Sequence, residues 1–209
     1  MLVMGIDPSL TGTGVVLVNE DHGVVEATKF TTDAGEILLK RAIYIASNIE
    51  DFYKKYNPDV VSLESPTFGS FTSETMNVLF NFILNVFLKN KTFVVSPAPL
   101  QVHSYIKGWM RENGYVAPSK VEKKHIRQAI INKIGIKLRN DEADAYWIAL
   151  IGLNLKKTID DHNFILSLYP YETELFLSRK LNGKKIPKGM YYNKNTSFYD
   201  FSMEAYQFI

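Results

Sequence analysis

The 209-residue chain has no cysteine, which excludes disulfides and thiolate metal centres and leaves oxygen or imidazole as the means of holding a metal. The same absence fits a reducing compartment. No apolar run is long enough to cross a bilayer, and the first residues enter a strand pattern instead of a basic, apolar, small-residue leader. A soluble, unexported, cytoplasmic protein with no membrane partner is therefore expected. Repeats and low-complexity tracts are also missing. What is abundant is apolar: 46% hydrophobic residues are enough to bury a sizeable core.

The net charge of +2 hides an uneven distribution. Residues 1–100 carry 7 basic and 11 acidic side chains, residues 101–140 carry 9 and 2, and residues 141–209 carry 8 and 9. The middle block, net +7, is the candidate polyanion surface, with Lys123, Lys124 and Arg127 prominent in it. The same lysines and arginine also fit the solvated face of an amphipathic helix.

Apolar patterning predicts an opening hairpin around a Gly/Pro/Ser/Thr turn, with Val15 to Val18 in its second strand, then a third strand over 24–31 and an amphipathic helix over 34–56. Strands over 59–64 and 91–96 and helices over 73–89, 99–111, 120–134 and 141–156 follow. The order βββαβαβα is a mixed α/β layout: five strands in one sheet, flanked by helices. Residues 65–72 and 113–119 read as loops, bearing Phe68, Phe71 and Tyr115. Loop aromatics stack on unpaired bases or pack into a core or interface. Residues 157–209 lack a clear period and are expected to be an appendage to a domain over 1–156, either packed or contacting DNA.

Four acids occupy positions with chemical meaning. Asp7 ends the first strand, Glu64 ends the fourth just before Ser65-Pro66, and Asp141 and Asp144, spaced i, i+3, open the last helix on one face. Carboxylate oxygens suit Mg²⁺, and two such ions about 3.5 to 4 Å apart can drive phosphodiester hydrolysis. Asp7 would bridge, Glu64 would complete one ion, and Asp141 with Asp144 the other. Taken singly, each acid has a plainer reading. Asp7 caps a turn, and Asp141 is the N-cap of the helix with Asp144 favoured by the helix dipole.

Together these residues resemble the RuvC-like Holliday junction resolvases of the ribonuclease H-like superfamily. Gly5-Ile6-Asp7-Pro8-Ser9-Leu10-Thr11-Gly12-Thr13-Gly14 resembles the opening motif, Leu63-Glu64 the central acidic position, and Asp141-Glu142-Ala143-Asp144-Ala145 the closing motif. Gln101 to Gly108, containing His103 and Lys107, is similar to a family stretch that has Lys in place of His103. Lys120-Val121-Glu122-Lys123-Lys124-His125 resembles the segment carrying the other basic active-site residue, placed at Lys120. The resemblance implies a ribonuclease H-like fold, a homodimer, Mg²⁺ or Mn²⁺ as cofactor, and paired nicks in a four-way DNA junction. It implies catalytic roles for Asp7, Glu64, Asp141, Asp144 and Lys120. DNA contacts are expected from His103, Lys107, Lys120, Lys123, Lys124, Arg127, Phe68 and Phe71; His103 is otherwise an ordinary packed histidine.

Two other enzymatic functions compete, beside a non-catalytic junction binder that retains the fold. One keeps the fold and cuts flaps, forks or packaging intermediates, as in phage-encoded relatives. The other takes the glycine-rich turn as the phosphate loop of an actin-like ATPase or sugar kinase, which leaves Asp141 and Asp144 beside a basic block without a role.

Overall fold

A computed structural model describes residues 1–66 and 73–161, together with short strands at 179–181, 184–186, 190–192 and 199–200. The chain opens with β1 (Leu2–Asp7), β2 (Thr13–Asn19) and β3 (Val24–Phe30), an antiparallel meander. It continues through α1 (Leu38–Tyr56), β4 (Val60–Leu63), α2 (Ser73–Lys89) and β5 (Phe93–Ser96), and then α3 (Pro99–Glu112), α4 (Lys123–Ile134) and α5 (Asn140–Asp160). Both β4 and β5 run parallel to β1, so the five expected strands lie in the order β3-β2-β1-β4-β5. Four short strands follow: β6 (Arg179–Leu181) pairs with β7 (Lys184–Ile186), while β8 (Met190–Tyr192) and β9 (Tyr199–Asp200) extend the main sheet beyond β5.

The pattern of β1 and β2 explains the layering. Their side chains alternate between two buried faces, so Val3, Val16 and Val18 pack with α3, α4 and α5, whereas Met4, Ile6, Val15 and Leu17 pack with α1 and α2. α5 is apolar around nearly its whole circumference, with Tyr146 and Trp147 fully buried, as befits a helix pressed between the sheet and two outer helices. Truncating Trp147 would cost about 3–5 kcal/mol. No helix among the described residues is long and apolar enough to cross a membrane.

Two helix starts differ from expectation by three or four residues. Asp33 folds residues 33–36 into a turn, accepting from the Gly35 N–H through its side chain (2.9 Å) and from the Glu36 N–H through its carbonyl (3.3 Å), so α1 begins at Leu38 instead of residue 34. Likewise α4 begins at Lys123, three residues after Lys120, because the Glu122 backbone is extended and its N–H donates to His125 Nδ1.

Candidate active site

The acidic residues meet at one end of the sheet, and strand register explains how. Asp7 pairs with Gly14, Gly14 pairs with Lys29, and Glu64 follows directly on the Ile6↔Leu63 pair with its N–H bonded to the Ile6 carbonyl (3.1 Å). Lys29, Gly14, Asp7 and Glu64 thus form a row across four strands, and residues in such a row share a face. Ser65 N–H to the Pro97 carbonyl (2.9 Å) and Ser96 Oγ to the Leu63 carbonyl (2.9 Å) fix the strand end that carries Glu64.

Glycines let α5 deliver the other two acids onto this row. A Cβ on Gly5 would lie 2.1 Å from the Ala145 carbonyl oxygen, and one on Gly14 would lie 2.0 Å from that of Asp141. Only hydrogen at these positions permits so close an approach of helix to strand. Two amides of the turn between β1 and β2 are engaged within it: Ser9 N–H donates to Thr13 Oγ1 (3.1 Å) and Gly12 N–H to the Ser9 carbonyl (3.3 Å). Gly5 and Gly14 serve packing, a role the ATPase reading does not call for.

Asp141 is not the cap of α5. The helix starts one residue earlier, and Glu142 reaches back to accept from the Arg139 N–H (2.8 Å) while its carboxylate pairs with the Arg139 guanidinium. Asp141 instead faces two ammonium groups, Lys29 Nζ at 2.6 Å from Oδ2 and Lys123 Nζ at 3.3 Å from Oδ1; Lys123 also stands 3.8 Å from Asp144 Oδ2.

The electrostatics divide the four acids. Burial, then the charges of Glu64 and Asp144, push the Asp7 carboxyl well above its ordinary range. Burial and Asp144 push Glu64 up to about 7, even though a hydrogen bond with Asp7 favours its charged form. Asp144 rises to about 6, chiefly through burial, with Lys123 working against the rise. Burial also pushes Asp141 upward, but the hydrogen bonds from Lys29 and Lys123 outweigh it and hold this carboxyl below its ordinary value.

Without metal, then, Asp7, Glu64 and Asp144 crowd together in a site short of positive charge, while Asp141 is matched by lysines. Among the described residues no group of three or more His, Cys, Asp or Glu side chains is already gathered as a metal-binding set. The donor chemistry nonetheless fits a hard divalent cation. All four groups are carboxylates, and the Asp7–Glu64 hydrogen bond joins two acids whose charges repel and which a cation would serve better than a shared proton.

The other expected residues are distributed as follows. Lys123, placed by sequence only among the DNA contacts, is the α4 lysine at the carboxylates; Lys120 is exposed in the preceding segment, with no ion pair to the four acids among the described residues. Lys107 Nζ donates to the Ser119 carbonyl (2.5 Å), tying α3 to the loop before α4. Lys124 pairs with Glu122 (2.9 Å) at the surface, and Arg127 is partly buried on α4. His103 is partly buried on α3, where burial and then Lys107 hold its imidazole below the ordinary value. Tyr115 stacks on Trp109 with ring centroids 5.7 Å apart, so this loop aromatic packs against the protein. Phe68 and Phe71 lie outside the described residues. Lys29 was missed by sequence reasoning because its role depends on a pairing register that no local motif announces.

No family model matches the chain. In sequence it is 27% identical over 155 residues to the crossover junction endodeoxyribonuclease RuvC of Ruminiclostridium cellulolyticum, covering 72% of this chain and 90% of that one. It is 26% identical over 168 residues to the RuvC of Prochlorococcus marinus strain NATL1A, 75% of this chain and the whole of that one. In fold it matches the structure of Thermus thermophilus RuvC with a TM-score of 0.60 at 19% identity, covering 75% of this chain and 96% of that chain. The chain is thus similar in sequence to RuvC proteins along nearly their full length and shares the fold of T. thermophilus RuvC.

Proposed function

We propose that this chain is a metal-dependent, structure-selective endonuclease that resolves four-way DNA junctions by paired symmetric nicks, acting as a homodimer. The observation that carries this reading is the convergence of Asp7, Glu64, Asp141 and Asp144, drawn from three distant segments, on one end of the sheet beside Lys123. Support also comes from relatives named crossover junction endodeoxyribonucleases and from a T. thermophilus RuvC complex with Holliday junction substrate, matched at a TM-score of 0.60. In this reading residues 1–156 are the nuclease domain and 157–209 an appendage.

Asp7 and Glu64 would hold one divalent ion and Asp141 with Asp144 a second, with Mg²⁺ the natural choice and Mn²⁺ a substitute. Such ions, when bound, would polarise the scissile phosphate, make water a better nucleophile and stabilise the departing oxygen. The protein's own contribution is to fix the acids on rigid elements and to hold three of them where burial and mutual repulsion favour a cation over their bare charges. Lys123, at the first turn of α4 and within reach of both helix acids, would place positive charge where the transition state gathers negative charge. His103, Lys107, Lys120, Lys124 and Arg127, with Phe68 and Phe71, would hold phosphates and bases around the cut. Two symmetric cuts require two sites at a fixed separation, which a two-fold dimer provides.

The test is Mg²⁺-dependent cleavage of a synthetic four-way junction, run beside flap, fork and duplex substrates with the cut positions mapped. Symmetric paired nicks, with the junction preferred, are expected. A junction cut no faster than flaps or plain duplex would refute the assignment.

A further inference from the structure

Lys29 reaches Asp141 by a path that the fold keeps clear. It stands opposite Gly14 in the β2–β3 register, and the missing side chain there admits the first turn of α5. Its own chain then crosses Gly12, where a Cβ would lie 2.2 Å from Lys29 Cε and 2.6 Å from Nζ. At the end of this path Nζ is 2.6 Å from Asp141 Oδ2, with both side chains largely buried. A lysine at a helix N-terminus opposes the helix dipole, so the position gains nothing from helix electrostatics. Its placement answers to the carboxylate.

We propose that Lys29 is a positioning residue of this site: its ammonium holds Asp141 in the metal-free protein and competes with the divalent cation for that carboxylate, so that it sets how tightly the site takes its metal. The inference rests on the nuclease reading, since it concerns the same four acids. It assigns Lys29 a role distinct from that of Lys123, which stands near Asp144 as well. Removing one unit of positive charge a few ångströms from a divalent ion strengthens its binding even at high dielectric.

The experiment measures Mn²⁺ binding by electron paramagnetic resonance in the full-length protein without DNA, at fixed pH and ionic strength, with folding checked by circular dichroism. Lys29→Met should bind Mn²⁺ more tightly, on the order of tenfold, and Lys29→Arg should stay within about twofold of the parent because it keeps the charge. Gly12→Ala, which obstructs the lysine's path, should shift in the same direction as Lys29→Met. In an Asp141→Asn background, the Lys29→Met effect should shrink to the residual through-space repulsion, a coupling that a merely structural lysine would not produce. Unchanged or weaker Mn²⁺ binding in Lys29→Met, or an equal effect with Asp141→Asn, would overturn the proposal. If the parent cuts junctions while Lys29→Met leaves affinity unaltered, Lys29 alone is wrongly assigned. A parent that neither binds Mn²⁺ nor cuts DNA would remove both this role and the nuclease reading.

Discussion

Replacing Glu64 with glutamine should make the metal-free protein more stable at neutral pH, and by an amount that grows with pH. The Glu64 carboxyl lies at about 7 in the folded protein against an ordinary value of 4.5. Between these values the folded state binds more protons than the unfolded state, so stability falls as pH rises from 4.5 to 7 and then levels off. At roughly 1.4 kcal/mol per pH unit the loss is about 3 kcal/mol. Asp144, raised from 3.8 to about 6, works in the same direction. His22 works in the opposite one: burial, then Lys133 and Lys157, lower it from 6.5 to about 4, so its contribution to stability is lost as pH falls through that window. The informative quantity is therefore the difference between parent and Glu64→Gln, in which His22 cancels. Urea unfolding in a chelator between pH 4.5 and 8 should give a difference near zero at the acid end, rising to about 3 kcal/mol above pH 7. Added Mg²⁺ should close that gap by stabilising the parent selectively. A difference independent of pH, or a less stable glutamine variant, would refute the claim that Glu64 is held in a site deficient in positive charge.

Asp7→Asn should lower junction cleavage by at least on the order of 100-fold while leaving junction affinity nearly intact in gel-shift titrations, because phosphate contacts dominate binding. Lys123→Ala should slow single-turnover cleavage by on the order of 100-fold and reduce the salt dependence of binding by no more than about one phosphate contact. Gly14→Ala should destabilise the fold by roughly 1–3 kcal/mol or more in denaturant titrations, since the added methyl meets the α5 backbone and not a flexible side chain.

Much of this architecture is legible in the residues themselves. The strand-terminal positions of Asp7 and Glu64 follow from Pro8 and Pro66 just beyond them, and the i, i+3 spacing of Asp141 and Asp144 places both on one helical face. What local pattern could not supply is tertiary register. Gly14 reads as a turn residue and Gly5 as one more position of a strand, although both serve to admit α5, and only the three-strand pairing aligns Lys29 with Asp7. The proximity of Lys123 to Asp141 and Asp144 was not legible either, since the sequence places α4 from Lys120 and the helix begins at Lys123. Strands β8 and β9 were invisible because Met190–Tyr192 and Tyr199–Asp200 are too short for a period of two to register.

The contact of α5 with β1 and β2 has a consequence for how this protein can change. Positions 5 and 14 set the spacing of the acids by being empty, and any side chain introduced there wedges the helix bearing two of them away from the strand bearing a third. Drift can retune exposed positions away from the site with little damage, but these two sites admit almost no variation. In a saturation-mutagenesis library they should be as intolerant as the acids themselves, despite touching neither metal nor DNA.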